Sequence, residues 1–307
     1  MDKINADLID AFRRDLQLQR KTEATVSSYC AWVRRFAEFL DGDLLKVTRD
    51  DLKIYLDYVR NEKKMREDSI KYVFACLSVF FVFLVEEEKI AANLIPAFRR
   101  KYISSYKREV NSRSRQLITI DQAKMLVNSI LDVKDKTIVV LLFKTGVRRH
   151  ELADLDLEDV DVDELTITLK ETPKRSNRIV FFDQETADLL RIWLKYREKR
   201  IKHGETALFI SQYGTRLSGR AVNVVVEKCA QRVGLHNPKS ERLEDQFTAH
   251  CCRHWNATHL IRSGMPRDFV KELRGDARSE AIDIYNHIDH GELKESYLAH
   301  IPRFGIR

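Results

Sequence analysis

The residues best equipped for chemistry lie near the carboxyl end, where Thr248 to Tyr285 reads TAHCCRHWNATHLIRSGMPRDFVKELRGDARSEAIDIY. Thr248 is suited to cap a helix, which puts His250 in the first turn, where unpaired N–H groups and the positive end of the helix dipole favour an anion. Arg253 follows one turn later on the same face. An imidazole and a guanidinium converging at a helix N-terminus suit a phosphate, and a phenol carried there by a following helix, that of Tyr285, could attack it. Each residue alone has a plainer explanation. The chain holds ten tyrosines, and most tyrosines pack with a hydrogen-bonded hydroxyl; histidines and arginines on helices commonly cap or face solvent.

The same segment admits a metal-binding reading, because His250 and His254 are spaced i, i+4 with two cysteines between them. Against it, Cys251 stands where a zinc protease helix carries its glutamate base. Adjacent cysteines on a helix also point about 100° apart, so both do not readily serve one tetrahedral ion. No metal and no cofactor are expected.

Elements must position these groups. The chain has 307 residues, enough for two domains, with 54 Lys and Arg against 47 Asp and Glu and a net charge of +7. That balance favours a polyanionic partner without identifying one. Five cysteines, Cys30, Cys76, Cys229, Cys251 and Cys252, form no C-x-x-C pair, so a reducing interior fits better than a disulfide scaffold. The amphipathic N-terminus lacks a signal-type apolar core, and the longest apolar run, Val79 to Val85, is short for a membrane span. A soluble cytoplasmic protein is expected.

Helical periodicity runs from Lys3 to about Glu88. Ile4, Leu8, Phe12 and Leu16 form one stripe; Val26, Tyr29, Val33, Phe36 and Leu40 form a second after a cap at Thr22. Thr48 opens a third helix and Asp68 a fourth, giving a four-helix bundle over residues 1–98 whose aromatics read as core. Pro96 interrupts the pattern, and residues 99–118 form a basic linker suited to strapping a phosphate backbone. The second domain spans 119–307. It starts with an amphipathic helix, then a buried helix broken at Thr145-Gly146 and a short helix with Arg148 and Glu151. Leu165 to Leu169 and Arg178 to Phe182 read as a hairpin around KETPKRSN. Further helices follow at Thr186–Ile201, Ser218–Val233, the Thr248 segment, Arg267–Arg274, Ser279–Ile288 and Glu292–His300. The fold class is mainly α with a small antiparallel β-sheet.

TGVRRHEL at Thr145 to Leu152, a basic hairpin, HCCRH at His250 to His254 and LRGDARSEAIDIYNH at Leu273 to His287 together resemble the tyrosine recombinase (phage integrase) family. The resemblance covers the chain from about Thr119 onward, and the preceding bundle matches in kind the family's SAM-like core-binding domain. It implies a site-specific recombinase that cleaves and rejoins double-stranded DNA through a 3′-phosphotyrosine on Tyr285, without metal. Arg148 and Arg253 would clamp the non-bridging oxygens, His250 would accept or relay a proton, and Lys174, preferred over Lys170, would protonate the leaving 5′-oxygen. Glu151 would orient its neighbours. Asp276 departs from the family, which usually places a histidine or tryptophan there. The resemblance further implies a homo-tetramer on DNA, with the C-terminal helix and its tail docking on a neighbour. The rival reading is a DNA-binding regulator of the same fold that does not cleave.

Overall fold

The computed structural model describes residues 3–103, 116–170, 178–202, 204–240, 242–275 and 288–306. The chain divides into two units, Met1–Glu109 and Val110–Arg307, each with its own apolar core.

In the first unit the expected periodicity produces α1 (Lys3–Leu18), α2 (Glu23–Leu40), α3 (Arg49–Asp57) and α4 (Glu67–Glu86). Side-chain caps set two of the starts: Thr22 Oγ1 accepts from the Thr25 N–H at 3.3 Å, and Thr48 and Asp51 cap each other reciprocally. The α1 stripe differs from the sequence reading at its start. Ile4 is 54% exposed, whereas Asn5 is buried, donating to the Gly42 carbonyl at 2.7 Å and accepting from the Leu44 N–H at 3.1 Å. One amide thus satisfies both polarities of the α2–α3 connection, which apolar periodicity does not reveal. The aromatics do pack inward: Phe12 meets Phe80 edge-on at 5.2 Å, and Phe74 stacks on Phe98 at 5.5 Å.

Two corrections arise in this unit. Helix α4 is long and apolar enough to cross a membrane by length and composition, more so than the short run Val79–Val85 suggested. Its Ile70, Val73, Phe74, Leu77, Phe80 and Leu84 belong to the core shared with the other helices. Pro96 also does not end the helical unit; it sits in the first turn of α5 (Ile95–Tyr102), where a proline forfeits no intrahelical bond. Ile95 and Phe98 enter the core, so Arg99, Arg100 and Lys101, the first cations of the stretch read as linker, form the last turn of a packed helix. Lys107, Arg108, Arg113 and Arg115 fall outside the described residues.

The second unit is built around α7 (Val133–Thr145), buried at every position from Thr137 to Thr145. It follows α6 (Ile120–Asn128), which opens with a reciprocal cap between Thr119 and Gln122. After α8 (Arg149–Ala153), strands β1 (Val160–Asp161), β2 (Thr166–Leu169) and β3 (Arg178–Phe181) form an antiparallel sheet in that order, with Leu169 opposite Arg178. The expected hairpin is thus joined by a two-residue strand too short to carry a sequence signal. Its tip, with Lys174, lies outside the described residues. Helices α9 (Gln184–Glu198), α10 (Gly219–Arg232) and α11 (Ala249–Arg262) pack against α7, and α12 (Arg267–Arg274) and α13 (His290–His300) complete the unit. The helix read at Ser279–Ile288 falls outside the described residues up to 287.

The C-terminal segment, read as docking on a neighbour, packs on its own domain. Leu293 and Tyr297 of α13 and Phe304 of the tail are buried, and the Tyr297 hydroxyl donates to the Lys144 carbonyl at 3.0 Å. Lys144, wholly buried on α7, donates to Asp183 at 2.5 Å, Glu185 at 2.6 Å and the Pro302 carbonyl at 2.7 Å, and its ammonium lies 4.4 Å from the Phe304 ring centre. Glu185 in turn accepts from the Phe304 and Gly305 N–H groups at 2.7 and 2.9 Å. A buried lysine is tolerable only with such compensation.

Burial of the Glu185 carboxyl opposes its ionisation, but the Lys144 ammonium and the tail N–H groups outweigh it and hold its pKa below the usual 4.5. A depressed folded pKa contributes stability that is complete above the unfolded value and lost as pH falls through the folded one. Glu185→Gln should therefore destabilise the second unit by about 1–3 kcal/mol at neutral pH. In the wild type, hydrogen-exchange protection of the Phe304 and Gly305 amides, corrected for intrinsic rates, should fall as pH drops below 4.5. In the variant it should start low and lose that acid dependence.

Candidate active site

The last two carbonyls of α12 collect three guanidinium groups from three different elements. Arg253, on α11 and 4% exposed, donates through Nη2 to the Arg274 carbonyl at 2.7 Å and through Nη1 to the Gly146 carbonyl at 2.6 Å. Arg148, which caps α8, reaches the same Arg274 carbonyl from Nη1 at 3.4 Å. Arg178, which opens β3, donates from Nε to the Leu273 carbonyl at 3.2 Å. The C-terminal carbonyls of a helix have no intrahelical partners and carry the negative end of its dipole, so cations at that end are favourable.

Glu151 binds this group from the other side. Its Oε2 accepts from the Arg148 backbone N–H at 2.7 Å and from Arg178 Nη2 at 2.9 Å, while Oε1 accepts from Arg148 Nη1 at 3.1 Å. The carboxylate therefore starts helix α8 and fixes the side chain of the residue that caps it. The sequence reading put both residues on the short helix; the structure has Arg148 as its N-cap and Glu151 at its third position.

That break has a physical cause. Gly146 ends α7 at φ 61° and returns its N–H to the Leu142 carbonyl. Asn256 of α11 donates to the Phe143 and Lys144 carbonyls at 2.9 and 2.6 Å, and a Cβ at position 146 would lie 2.6 Å from its Oδ1. Glycine is required both for the left-handed turn and for the approach of α11.

Thr248 is the N-cap of α11, as expected, but Cys251 at the third position takes the reciprocal role usually filled by glutamate, its Sγ lying 3.4 Å from the Thr248 nitrogen. Cys251 and Cys252 are both 0% exposed, and the Cys251 thiol donates to the Gln246 carbonyl at 3.5 Å. His250 and His254 lie on the exposed side of the helix, so the two cysteines do not join the histidines around one point. Among the described residues no group of three or more His, Cys, Asp or Glu is placed to hold a metal ion. Burial pushes the Cys252 thiol well above its ordinary pKa, which keeps it protonated.

Arg148, His250 and Arg253 line one cleft of about 410 Å³, together with Arg149, His150 and Asn223. The wall is cationic and rich in donors, with two anchored guanidiniums, an imidazole at a helix N-terminus and the amide ends of α11, a set whose chemistry suits an anion. Tyr285 and Asp276 fall outside the described residues, as does Lys174. In sequence, Asp276 is two residues and Tyr285 eleven residues beyond Arg274, whose carbonyl Arg148 and Arg253 share.

Lys170, the other hairpin lysine, is at the foot of β2 and bonded to Asp156, with Asp159 at 3.5 Å. The hydrogen bond that it donates to Asp156 raises its pKa, with burial opposing less strongly. Asp156 itself is disfavoured as an anion by burial, but bonds from Lys170, Thr206 and Arg216 hold its pKa below the usual carboxylate range. Lys170 thus belongs to the root of the hairpin. Sequence reading missed Arg178 as part of the cluster; the signal present was an arginine opening an otherwise apolar strand, RIVFF.

A mainly helical unit with a three-stranded sheet and an arginine-lined cleft is the architecture of a DNA strand-cleaving and strand-rejoining enzyme, and the family match gives this chain that class. The chain belongs to the phage integrase family: the family model, described as "Phage integrase family", matches residues 114–292, and "Phage integrase, N-terminal SAM-like domain" matches residues 8–90. It is a site-specific recombinase of the tyrosine type. Among curated relatives, a tyrosine recombinase XerC from Thermodesulfovibrio yellowstonii is 32% identical over 231 residues, 72% of this chain and 71% of that protein. A tyrosine recombinase XerA from Saccharolobus solfataricus is 25% identical over 295 residues, 96% of this chain and 92% of that protein. The fold is shared with the Tn1549 transposon integrase, solved in complex with transposon right end DNA, at TM-score 0.68 and 17% identity, covering 92% of this chain and 96% of that one. It is also shared with a lambda integrase dimer bound to a COC′ core site, at TM-score 0.68 and 18% identity, covering 92% and 79%.

Gly275 caps α12 at φ 58°, and a Cβ there would lie 2.8 Å from Arg178 Nη1 and 2.9 Å from its Cδ and Cζ. Gly305 has a similar φ of 63° with nothing within 4 Å. Gly305→Ala should cost about 1 kcal/mol in thermal or denaturant unfolding, from backbone strain alone. Gly275→Ala should cost more and should also lower DNA cleavage about tenfold or more, because it displaces an arginine of the cluster.

Proposed function

We propose that Tyr285 attacks the scissile phosphodiester, forming a 3′-phosphotyrosyl link and releasing a 5′-hydroxyl. The observation that carries this reading is the convergence of Arg148 and Arg253 on one carbonyl at the wall of a cleft that His250 also lines. Their guanidiniums grip the non-bridging oxygens. Planar, permanently charged and held by carbonyls and Glu151, they meet the charge that spreads over those oxygens in the transition state without rearranging. The positive charge that a metal would supply comes from these two side chains. His250, at the amino end of α11, accepts or relays the proton of the attacking phenol. Glu151 acts through Arg148.

The leaving 5′-oxygen takes its proton from Lys174. The engagement of Lys170 with Asp156 and Asp159, which raises its pKa, opposes proton release and favours Lys174. Asp276, directly after the Gly275 cap, stands where the family usually has histidine or tryptophan and orients the neighbouring cations rather than binding phosphate itself.

The substrate is double-stranded DNA carrying a recombination site, gripped also by the helical first unit and the cations that follow it, and the enzyme acts in the cytoplasm. Four protomers join two duplexes. Truncation after His290 would not test that assembly cleanly, because it removes Leu293, Tyr297 and Phe304 from the core.

On a nicked suicide substrate the wild type should accumulate a covalent protein–DNA adduct and Tyr285→Phe none; an adduct with Tyr285→Phe rejects the nucleophile assignment. Arg148→Lys and Arg253→Lys should each lower the cleavage rate about 10²–10³-fold. Lys174→Ala should slow cleavage of the ordinary linkage but not of a 5′-bridging phosphorothiolate, whose thiolate leaves without a proton. Lys170→Ala should show no such sulfur-specific recovery.

A further inference from the structure

The one arginine of the cluster that does not line the cleft is Arg178. It is 8% exposed, opens β3 opposite Leu169, and is four residues beyond Lys174 in sequence. Its guanidinium spends one donor on the Leu273 carbonyl at 3.2 Å and another on Glu151 Oε2 at 2.9 Å. Glycine at 275 leaves room for it. The same carboxylate oxygen of Glu151 starts helix α8 through the Arg148 N–H, and the carbonyl following Leu273 is the one that Arg148 and Arg253 share.

We infer that Arg178 is a positioning residue for strand cleavage, setting the carboxyl end of α12 against Glu151 and thereby holding Arg148 and Arg253 in register with the segment that carries Tyr285. The inference rests on the assignment of Tyr285 as nucleophile. Three observations separate this from plain structural packing. A buried ion pair is a poor stabiliser compared with an apolar side chain of similar volume, so stability alone does not call for an arginine here. One of its bonds goes to the carboxylate that also holds Arg148, and the other to the carbonyl next to the one that Arg148 and Arg253 share, rather than to the core around it. Its two acceptors come from different elements, α8 and α12, so it acts as a strut whose length sets their separation, and its planar fork does what a single ammonium does not. Errors of about 1 Å in such a frame are enough to cost roughly 10²-fold in rate.

The route is through Glu151 and the end of α12, not through the hairpin lysine. Loss of Arg178 is therefore expected to lower the rate of cleavage rather than the affinity for DNA, and sulfur at the leaving position should not restore it.

The test uses the full chain on the nicked suicide substrate in single turnover, with DNA affinity measured separately and folding followed by thermal melting. Arg178→Met should melt cooperatively and bind DNA within about threefold of wild type, while its first-order cleavage rate falls about 100-fold. Arg178→Lys should fall between. Combined with Glu151→Gln, Arg178→Met should be no more than about threefold slower than the slower single variant, since residues acting as one unit are not additive. A 5′-bridging phosphorothiolate should rescue neither Arg178 variant. Cleavage by Arg178→Met within threefold of wild type, a loss matched by lost affinity or lost folded protein, additive losses with Glu151→Gln, or rescue by sulfur would each overturn the inference. Should Arg178→Met fail to fold, Arg178→Lys decides the matter by the same rate-against-affinity comparison. Adduct formation by Tyr285→Phe would instead reject the nucleophile assignment, whatever the Arg178 variants do.

Discussion

The organisation of the catalytic unit depends on a helix that ends in the wrong place for its own carbonyls and the right place for everyone else's cations. Helix α12 stops at Gly275 with the Leu273 and Arg274 oxygens turned toward β3, α8 and α11. Each of those elements answers with a guanidinium. Like charges so close would repel if placed in solvent; here the dipole of the helix, the two carbonyls and the Glu151 carboxylate make their convergence favourable. The geometry of the arginine cluster and the termination of a helix are one arrangement.

A second carbonyl array does similar work at the centre of the unit. Helix α7 ends at Gly146, and α11 closes that end with Asn256 while Arg253 takes the Gly146 oxygen. The side chain that faces phosphate in the proposed chemistry is therefore bolted to the most buried helix in the unit. Arg253 has little room to adapt to a ligand, which suits a site whose benefit is being arranged before the substrate arrives.

Much of this was legible because side-chain type and spacing report local geometry. Thr22, Thr48 and Thr248 mark helix starts, Thr145-Gly146 marks a stop, and His250 and Arg253 do share one cleft. What escaped depends on distance in space. Asn5 was not singled out in the apolar stripe because its two bonds go to residues near position 43. Pro96 looked like a stop because the same residue type opens helices as readily as it breaks them. The burial of Lys144 had no sequence signal, since its partners are some forty and some hundred and sixty positions away. Arg178 carried no periodicity; its bonds to Leu273 and Glu151 and the crowding at Gly275 show its place only in space. Tyr285 was named from its place after the His-Arg helix and Lys174 and Asp276 from the family pattern; all three fall outside the described residues.

The buried lysine has a consequence for how such a sequence changes over generations. Lys144 neutralises Asp183 and Glu185, and Glu185 holds the backbone of the tail. Replacing the lysine alone strands two acids in the interior, and replacing either acid alone leaves the ammonium undercompensated, so each single step goes downhill. The three positions behave as one inherited block: a lineage exchanges them together, through intermediates rescued by stability gained elsewhere, or keeps all three.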